Sequence, residues 1–92
     1  MLISYDEAKR QTNLRKHGID LAECAPIFDA EMFTLEDTSE NYGEKRLYSL
    51  GWLHGDVVAL IWTERHNTAR LISCRKATRH ESQKYLHHAY GF

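Results

Sequence analysis

Six consecutive apolar residues, Val57-Val58-Ala59-Leu60-Ile61-Trp62, stand between two short turn-forming tripeptides, His54-Gly55-Asp56 and His66-Asn67-Thr68. A run of this length without alternation predicts a strand covered on both faces, and so a central one. It is also the longest apolar run in the chain, far short of the ~18–20 residues of a membrane-spanning helix, so no membrane association is expected. The tripeptides suit tight hairpins, which makes Arg46–Leu53 and Ala69–Arg75 the antiparallel neighbours of Val57–Arg65. Met32–Glu36 is a further strand, followed by a polar loop of turn-forming residues from Asp37 to Gly43. Leu2–Tyr5 alternates weakly and reads as a short strand.

Helical signals fill the remainder. Asp6 is a good N-cap for Glu7–His17, a segment of helix formers with a thin apolar stripe at Ala8 and Leu14. Gly18 stands at its C-terminal cap, after Arg15 and Lys16, whose charges suit that end of the helix dipole. Asp20 and Glu23 read as a capping box before Leu21–Phe28, a short apolar helix that Pro26 bends or ends. Thr78–Tyr90 is helical, with Tyr85, Leu86, Ala89 and Tyr90 on its apolar side. The order is a strand, two helices, four strands and a helix. That predicts an α+β domain with a short N-terminal strand, two helices, a four-stranded mainly antiparallel sheet and a C-terminal helix. At 92 residues the chain is one domain, 1–92.

Charge is distributed unevenly. Residues 1–60 hold 6 Lys/Arg and 11 Asp/Glu, whereas residues 61–92 hold 6 and 2, together with four of the six histidines. A basic end on a chain of net charge −1 points to an anionic ligand at one face, or to charges that are simply solvated. Cys24 and Cys74 are distant in sequence and form no C-x-x-C. They are expected to be buried small apolar groups in a reducing, cytoplasmic setting, and the segment Met1-Leu2-Ile3-Ser4-Tyr5-Asp6, with no basic region or apolar stretch, does not read as a signal peptide. His80, Lys84 and His88 share a helical face, but no carboxylate or thiolate joins them at zinc-site spacing, so neither a metal nor another cofactor is expected.

Several blocks resemble one family. Tyr5-Asp6-Glu7-Ala8-Lys9, Asn13-Leu14-Arg15-Lys16-His17-Gly18-Ile19 and Ala25 to Phe28 are similar to the N-terminal signature of BrnT-type toxins. Gly43-Glu44-Lys45-Arg46 through Leu50-Gly51, Trp62-Thr63-Glu64-Arg65, and Ile72-Ser73-Cys74-Arg75-Lys76-Ala77-Thr78-Arg79 resemble its later blocks, in order and over nearly the whole chain. The resemblance implies a RelE-like fold and a ribonuclease toxin of a type II toxin–antitoxin pair. It also implies neutralisation by a small BrnA-like antitoxin, which supplies the contact with operator DNA.

RNA cleavage without a metal needs a base for the 2′-hydroxyl, cations for the phosphoryl oxygens and an acid for the leaving 5′-oxygen. Arginine suits the second task, because its fork holds two phosphate oxygens and stays charged. Arg65, Arg75 and Arg79 are the candidates. Glu64 is either a general base or the cross-strand partner of Arg70, and His17 is either an acid–base residue or a helix C-cap. Lys9, Lys16 and Lys76 would add RNA contacts, with Trp62 and Tyr85 as surfaces on which bases stack.

If the Val57–Arg65 and Ala69–Arg75 strands pair around the His66-Asn67-Thr68 joint, Glu64 faces Arg70 and Arg75 faces Ala59. Arg65 and Arg75 are then separated by about 20 Å, at ~3.3 Å per residue, and cannot hold one phosphate. The expectation is an extended groove. The alternative is a non-enzymatic module whose basic face docks a protein within a repressor complex. A DNA reader in its own right is disfavoured, since no helix–turn–helix pattern is present.

Overall fold

The computed structural model describes residues 1–37 and 44–91. The expected polar loop therefore falls, for residues 38–43, outside the described residues. In chain order the elements are β1 (Leu2–Tyr5), α1 (Glu7–His17), two 3₁₀ turns (Leu21–Glu23 and Ala25–Asp29), β2 (Phe33–Asp37), β3 (Arg46–Leu53), β4 (Asp56–Arg65), β5 (Thr68–Lys76) and α2 (Arg79–Tyr90). The fold is α+β.

The sheet has five strands in the order β1-β5-β4-β3-β2. The antiparallel meander from β2 to β5 matches the expectation, but the four-stranded, mainly antiparallel sheet must be corrected. β1 joins as a fifth strand, parallel to β5, with Leu2 opposite Thr68 and Tyr5 opposite Leu71. That pairing links the two ends of the chain, and no local pattern announces it. The apolar run in β4 is central, as its composition requires, with Val57, Val58, Ala59, Leu60 and Trp62 all buried.

The second helix must also be corrected. Leu21–Phe28 forms two 3₁₀ turns joined at Cys24, with Pro26 near the start of the second. Proline has no N–H to continue an α-helical ladder, and both turns stay short. Asp20 caps the first turn by accepting from the N–H of Ala22 at 2.9 Å.

Both hairpin joints are two-residue turns. His54 and Gly55 have φ of 52° and 83°, and His66 and Asn67 have 51° and 63°. Two consecutive positive φ values give the turn that matches the twist of antiparallel strands. The tighter turn shifts the register expected for β4 and β5. Arg65 pairs with Thr68, Thr63 with Arg70, and Glu64 with Ala69 rather than Arg70. A bulge at Ile72 then restores the expected pairing, so that Ala59 does face Arg75.

Two cores flank the sheet. On one face Leu21, Cys24 and Ile27 pack against Val58, Leu60, Trp62, Leu71 and Cys74. Both cysteines are fully buried and free; Cys24 Sγ donates to Asp20 O at 3.5 Å, and the neighbouring Cys74 together with burial pushes the Cys24 thiol up. On the other face α2 sets Tyr85 onto Leu50, Val57 and Ala59. Asn13 ties α1 to β5. The β1 pairing ends at Leu71, and beyond it the Asn13 side-chain amide bonds the edge of β5 that faces away from β4. Its Oδ1 accepts from Cys74 N at 2.9 Å, and its Nδ2 donates to Cys74 O at 2.9 Å and to Ile19 O at 2.8 Å.

Gly51 lies under the first core, where a Cβ would come 2.6 Å from Ile27 Cγ2. Ile27 is fully buried. Gly51→Ala is expected to destabilise the fold by about 1.5 kcal/mol, the range of a modest overpacking, and to lower Tm by several degrees. An unchanged melt would show that the 3₁₀ turn shifts at no cost.

Candidate nucleic-acid interface

One face of α1 presents Lys9, Thr12, Asn13 and Lys16, which share a side at i, i+3, i+4 and i+7 spacing. With His17 this face and the β5 residues Ile72 and Ser73 line a cavity of about 270 Å³. Asp6 caps the helix, its Oδ1 accepting from Ala8 N at 2.8 Å, and this fixes where Lys9 emerges.

A second cavity, of about 150 Å³, adjoins the first at Lys9 and Ile72. Its other lining residues are Asp6, Glu44, Arg46, Thr63, Arg65, Arg70 and Leu71. Strand geometry accounts for the grouping. Opposed residues in a ladder point to the same face, and Thr63 faces Arg70 across β4 and β5. One step beyond Leu47–Trp62 in the β3–β4 register brings Arg46 to the other side of Thr63. The two cavities make one groove, which runs from the β4–β5 hairpin past the bulge and along α1.

Of the expected residues, Lys9, Lys16, His17 and Arg65 lie in this groove. Arg65 already has a partner: Nη2 donates to Glu44 Oε1 at 2.8 Å and Nε to Oε2 at 3.2 Å. This bond holds Glu44 below the usual carboxylate range. The pair is solvent-exposed. Exposed pairs contribute little net energy, so a phosphate can take the place of Glu44 at low cost.

Arg75 points from the same sheet face as Ser73, but it belongs to another cluster. Its Nη1 and Nη2 reach Glu81 Oε1 and Oε2 at 2.8 and 3.0 Å, and Tyr48 Oη donates to Glu81 Oε2. Glu81 also closes the capping box of α2, accepting from Thr78 N at 2.8 Å. With Arg75 first among the causes, the Glu81 carboxyl is held down at about 2. Burial, and then Glu81, push the Tyr48 phenol up to about 12. Arg79 is exposed at the first turn of α2.

The other expected residues lie elsewhere. Lys76 pairs in register with Val58, pointing to the face opposite Arg75, and reaches Asp56 at 3.7 Å. Glu64 is exposed near the hairpin, on the face opposite Arg65. Trp62 and Tyr85 need correction as stacking surfaces, since they are 6% and 1% exposed. The Trp62 indole N–H donates to Ser49 Oγ at 2.9 Å and its ring meets Phe28 edge-on at 5.1 Å. Tyr85 Oη donates to Glu31 O at 3.0 Å. Neither ring offers a face to a base.

Sequence reasoning missed Arg46, Thr63, Tyr48 and Glu81, and saw Arg70 only as a partner for Glu64. The Thr78-x-x-Glu81 capping pattern was a usable signal for Glu81. The others depend on the register, which the bulge obscures. Among the described residues no group of three or more His, Cys, Asp or Glu is placed to hold a metal ion.

No curated protein matches the chain. A family model described as the ribonuclease toxin, BrnT, of a type II toxin–antitoxin system matches residues 5–81. That span begins at β1, ends at the α2 carboxylate that holds Arg75, and includes every cation of the groove. The chain belongs to the BrnT family of type II toxin–antitoxin ribonuclease toxins, a membership that brings with it an RNA substrate and an antitoxin partner.

Proposed function

We propose that this toxin is a metal-independent endoribonuclease on a RelE-like scaffold, which blocks translation in the cytoplasm by cleaving RNA. A BrnA-like antitoxin neutralises it and carries the complex to operator DNA. The observation that carries the reading is the cationic groove of Lys9, Lys16, Arg65 and Arg70, with His17 on its wall, in a chain matched by the family over residues 5–81.

The chemistry is attack of a ribose 2′-oxygen on the adjacent phosphorus, with departure of the 5′-oxygen. Lys9 and Lys16 hold the backbone by charge, and Arg65 exchanges Glu44 for a phosphate. Arg79 and, once released by Glu81, Arg75 continue the cationic track along α2. His17 serves proton transfer better than Glu64 does, because His17 lines the groove whereas Glu64 projects from the far face.

The test is purified toxin with labelled RNA, with and without EDTA. Cleavage is expected in both, and His17→Gln is expected to slow it at least tenfold. A large loss in Glu64→Gln, with His17→Gln unaffected, transfers the proton role to Glu64. Salt-sensitive binding without products would instead support a non-enzymatic docking module.

A further inference from the structure

Thr63 is unlike the other buried residues of β4. It is 1% exposed, yet its Oγ1 has no hydrogen-bond partner among the described residues. A buried hydroxyl left unsatisfied costs stability, and native chains pair nearly all such groups. Packing does not require one at this position, since valine has the same shape. Its surroundings point to an anion. Thr63 lines the cavity of about 150 Å³ together with the cations Lys9, Arg65 and Arg70. Asp6 caps α1, and Glu44 is paired with Arg65 inside the same cavity, which leaves Lys9 and Arg70 as the cations facing Thr63. Arg70, directly opposite Thr63 in the register, forms no ion pair among the described residues.

We propose that Thr63, Arg70 and Lys9 form an oxyanion cradle for one phosphodiester group of single-stranded RNA, held next to the scissile one. The choice of polymer rests on the ribonuclease reading, whereas the cradle itself does not. Thr63 Oγ1 donates to a non-bridging oxygen, Arg70 forks onto the phosphate, and Lys9 adds a point charge from α1. A tetrahedral phosphate offers oxygens to all three groups at once, which a planar protein carboxylate does not. Because Lys9 borders both cavities, a phosphate held here directs the strand toward Lys16 and His17.

Thr63→Val keeps the shape and removes only the hydroxyl. The free variant is expected to melt a few degrees above the wild type, since an unsatisfied buried group has gone. It is also expected to bind an uncleavable 2′-O-methyl RNA pentamer about tenfold more weakly, one charge-assisted hydrogen bond having been lost. Inorganic phosphate should raise its Tm less than that of the wild type. Arg70→Gln, whose fold does not depend on Thr63, should reduce the slope of log affinity against log salt by about 0.7.

Equal pentamer affinity in wild type and Thr63→Val overturns the cradle. So does equal stabilisation of both by phosphate, which would mean a diffuse field only. Weakened antitoxin association with intact RNA binding also overturns it, in favour of a protein-docking surface. The two readings fail separately. Pentamer binding that Thr63→Val weakens, in a protein that leaves ordinary RNA uncut, sinks the nuclease and keeps the cradle. Cleavage with unaltered Thr63→Val binding does the reverse.

Discussion

Asn13→Ala is expected to cost about 4 kcal/mol and to remove most of the stability of a domain this small. Its side-chain amide satisfies the N–H and C=O of Cys74 and the C=O of Ile19, and is itself 4% exposed. Truncation leaves three backbone groups without their partner, each worth roughly 1–3 kcal/mol where water does not replace it. The loss falls on long-range structure, since the Asn13 side chain hydrogen-bonds the middle of α1 to Cys74 of β5, 61 positions away. Asn13→Asp is the sharper variant. It keeps the acceptor for Cys74 N but removes both donated bonds and places a carboxylate against carbonyl oxygens. Urea denaturation should show midpoints falling in the order wild type, then either variant. A midpoint shift for Asn13→Ala equivalent to less than 1 kcal/mol would mean that α1 is held by its other contacts. The same substitution should also weaken RNA binding, because α1 carries Lys9 and Lys16 on the side that Asn13 anchors.

The parts of this fold that were legible in the sequence are those encoded locally. The β4 run, its two hairpins, the Asp6 cap and the separation of Arg65 from Arg75 all follow from residues within a few positions of one another. What escaped is non-local or turns on a single residue. β1 pairs with β5 across more than 60 positions, as Leu2 with Thr68. The bulge at Ile72 changes which residues face each other without leaving any compositional mark. Trp62 was placed among bases because it lies in the basic segment, but its even parity with Val58 and Leu60 commits it to the face under Leu21 and Ile27. Tyr85 was already on the apolar side of its helix, and that side packs onto the sheet.

Charge gave the least complete guide. The excess of cations in residues 61–92 is real, but Arg65 takes its carboxylate from Glu44, outside that segment, and Arg75 takes Glu81 from within it. A count by segment does not register such pairings. The cations left for a polyanion are therefore drawn from both ends of the chain: Lys9 and Lys16 from α1, and Arg70 from β5. This distribution explains how a chain of net charge −1 presents a cationic groove.

Glu81→Gln carries the second large effect, expected at about 2 kcal/mol at neutral pH, and it is best read through acid titration. The folded carboxyl is held at about 2, first by Arg75 and then by Thr78 N–H and Tyr48, against an ordinary value of 4.5. Between those two values the unfolded chain binds a proton that the folded chain does not. The stabilisation is therefore complete above about pH 5 and is lost as pH falls towards 2. The shift corresponds to about 3 kcal/mol at face value and about 2 kcal/mol once solvent around the half-exposed Arg75 is allowed for. Glutamine keeps an amide oxygen that can still accept from Thr78 N, so the substitution removes the charge and leaves the cap. The wild type should lose stability steeply below pH 4.5, and Glu81→Gln should show a shallower slope. A slope persists in the variant because Asp20, bonded to Arg10 at 2.8 and 2.9 Å, is also held at about 2 and titrates in the same window. Parallel pH profiles for wild type and variant would show that Glu81 does not carry the linkage. Removal of Glu81 also frees Arg75 at neutral pH. RNA affinity in Glu81→Gln is therefore expected to rise while stability falls, and a fall in both would show that Arg75 serves only to hold α2 on the sheet.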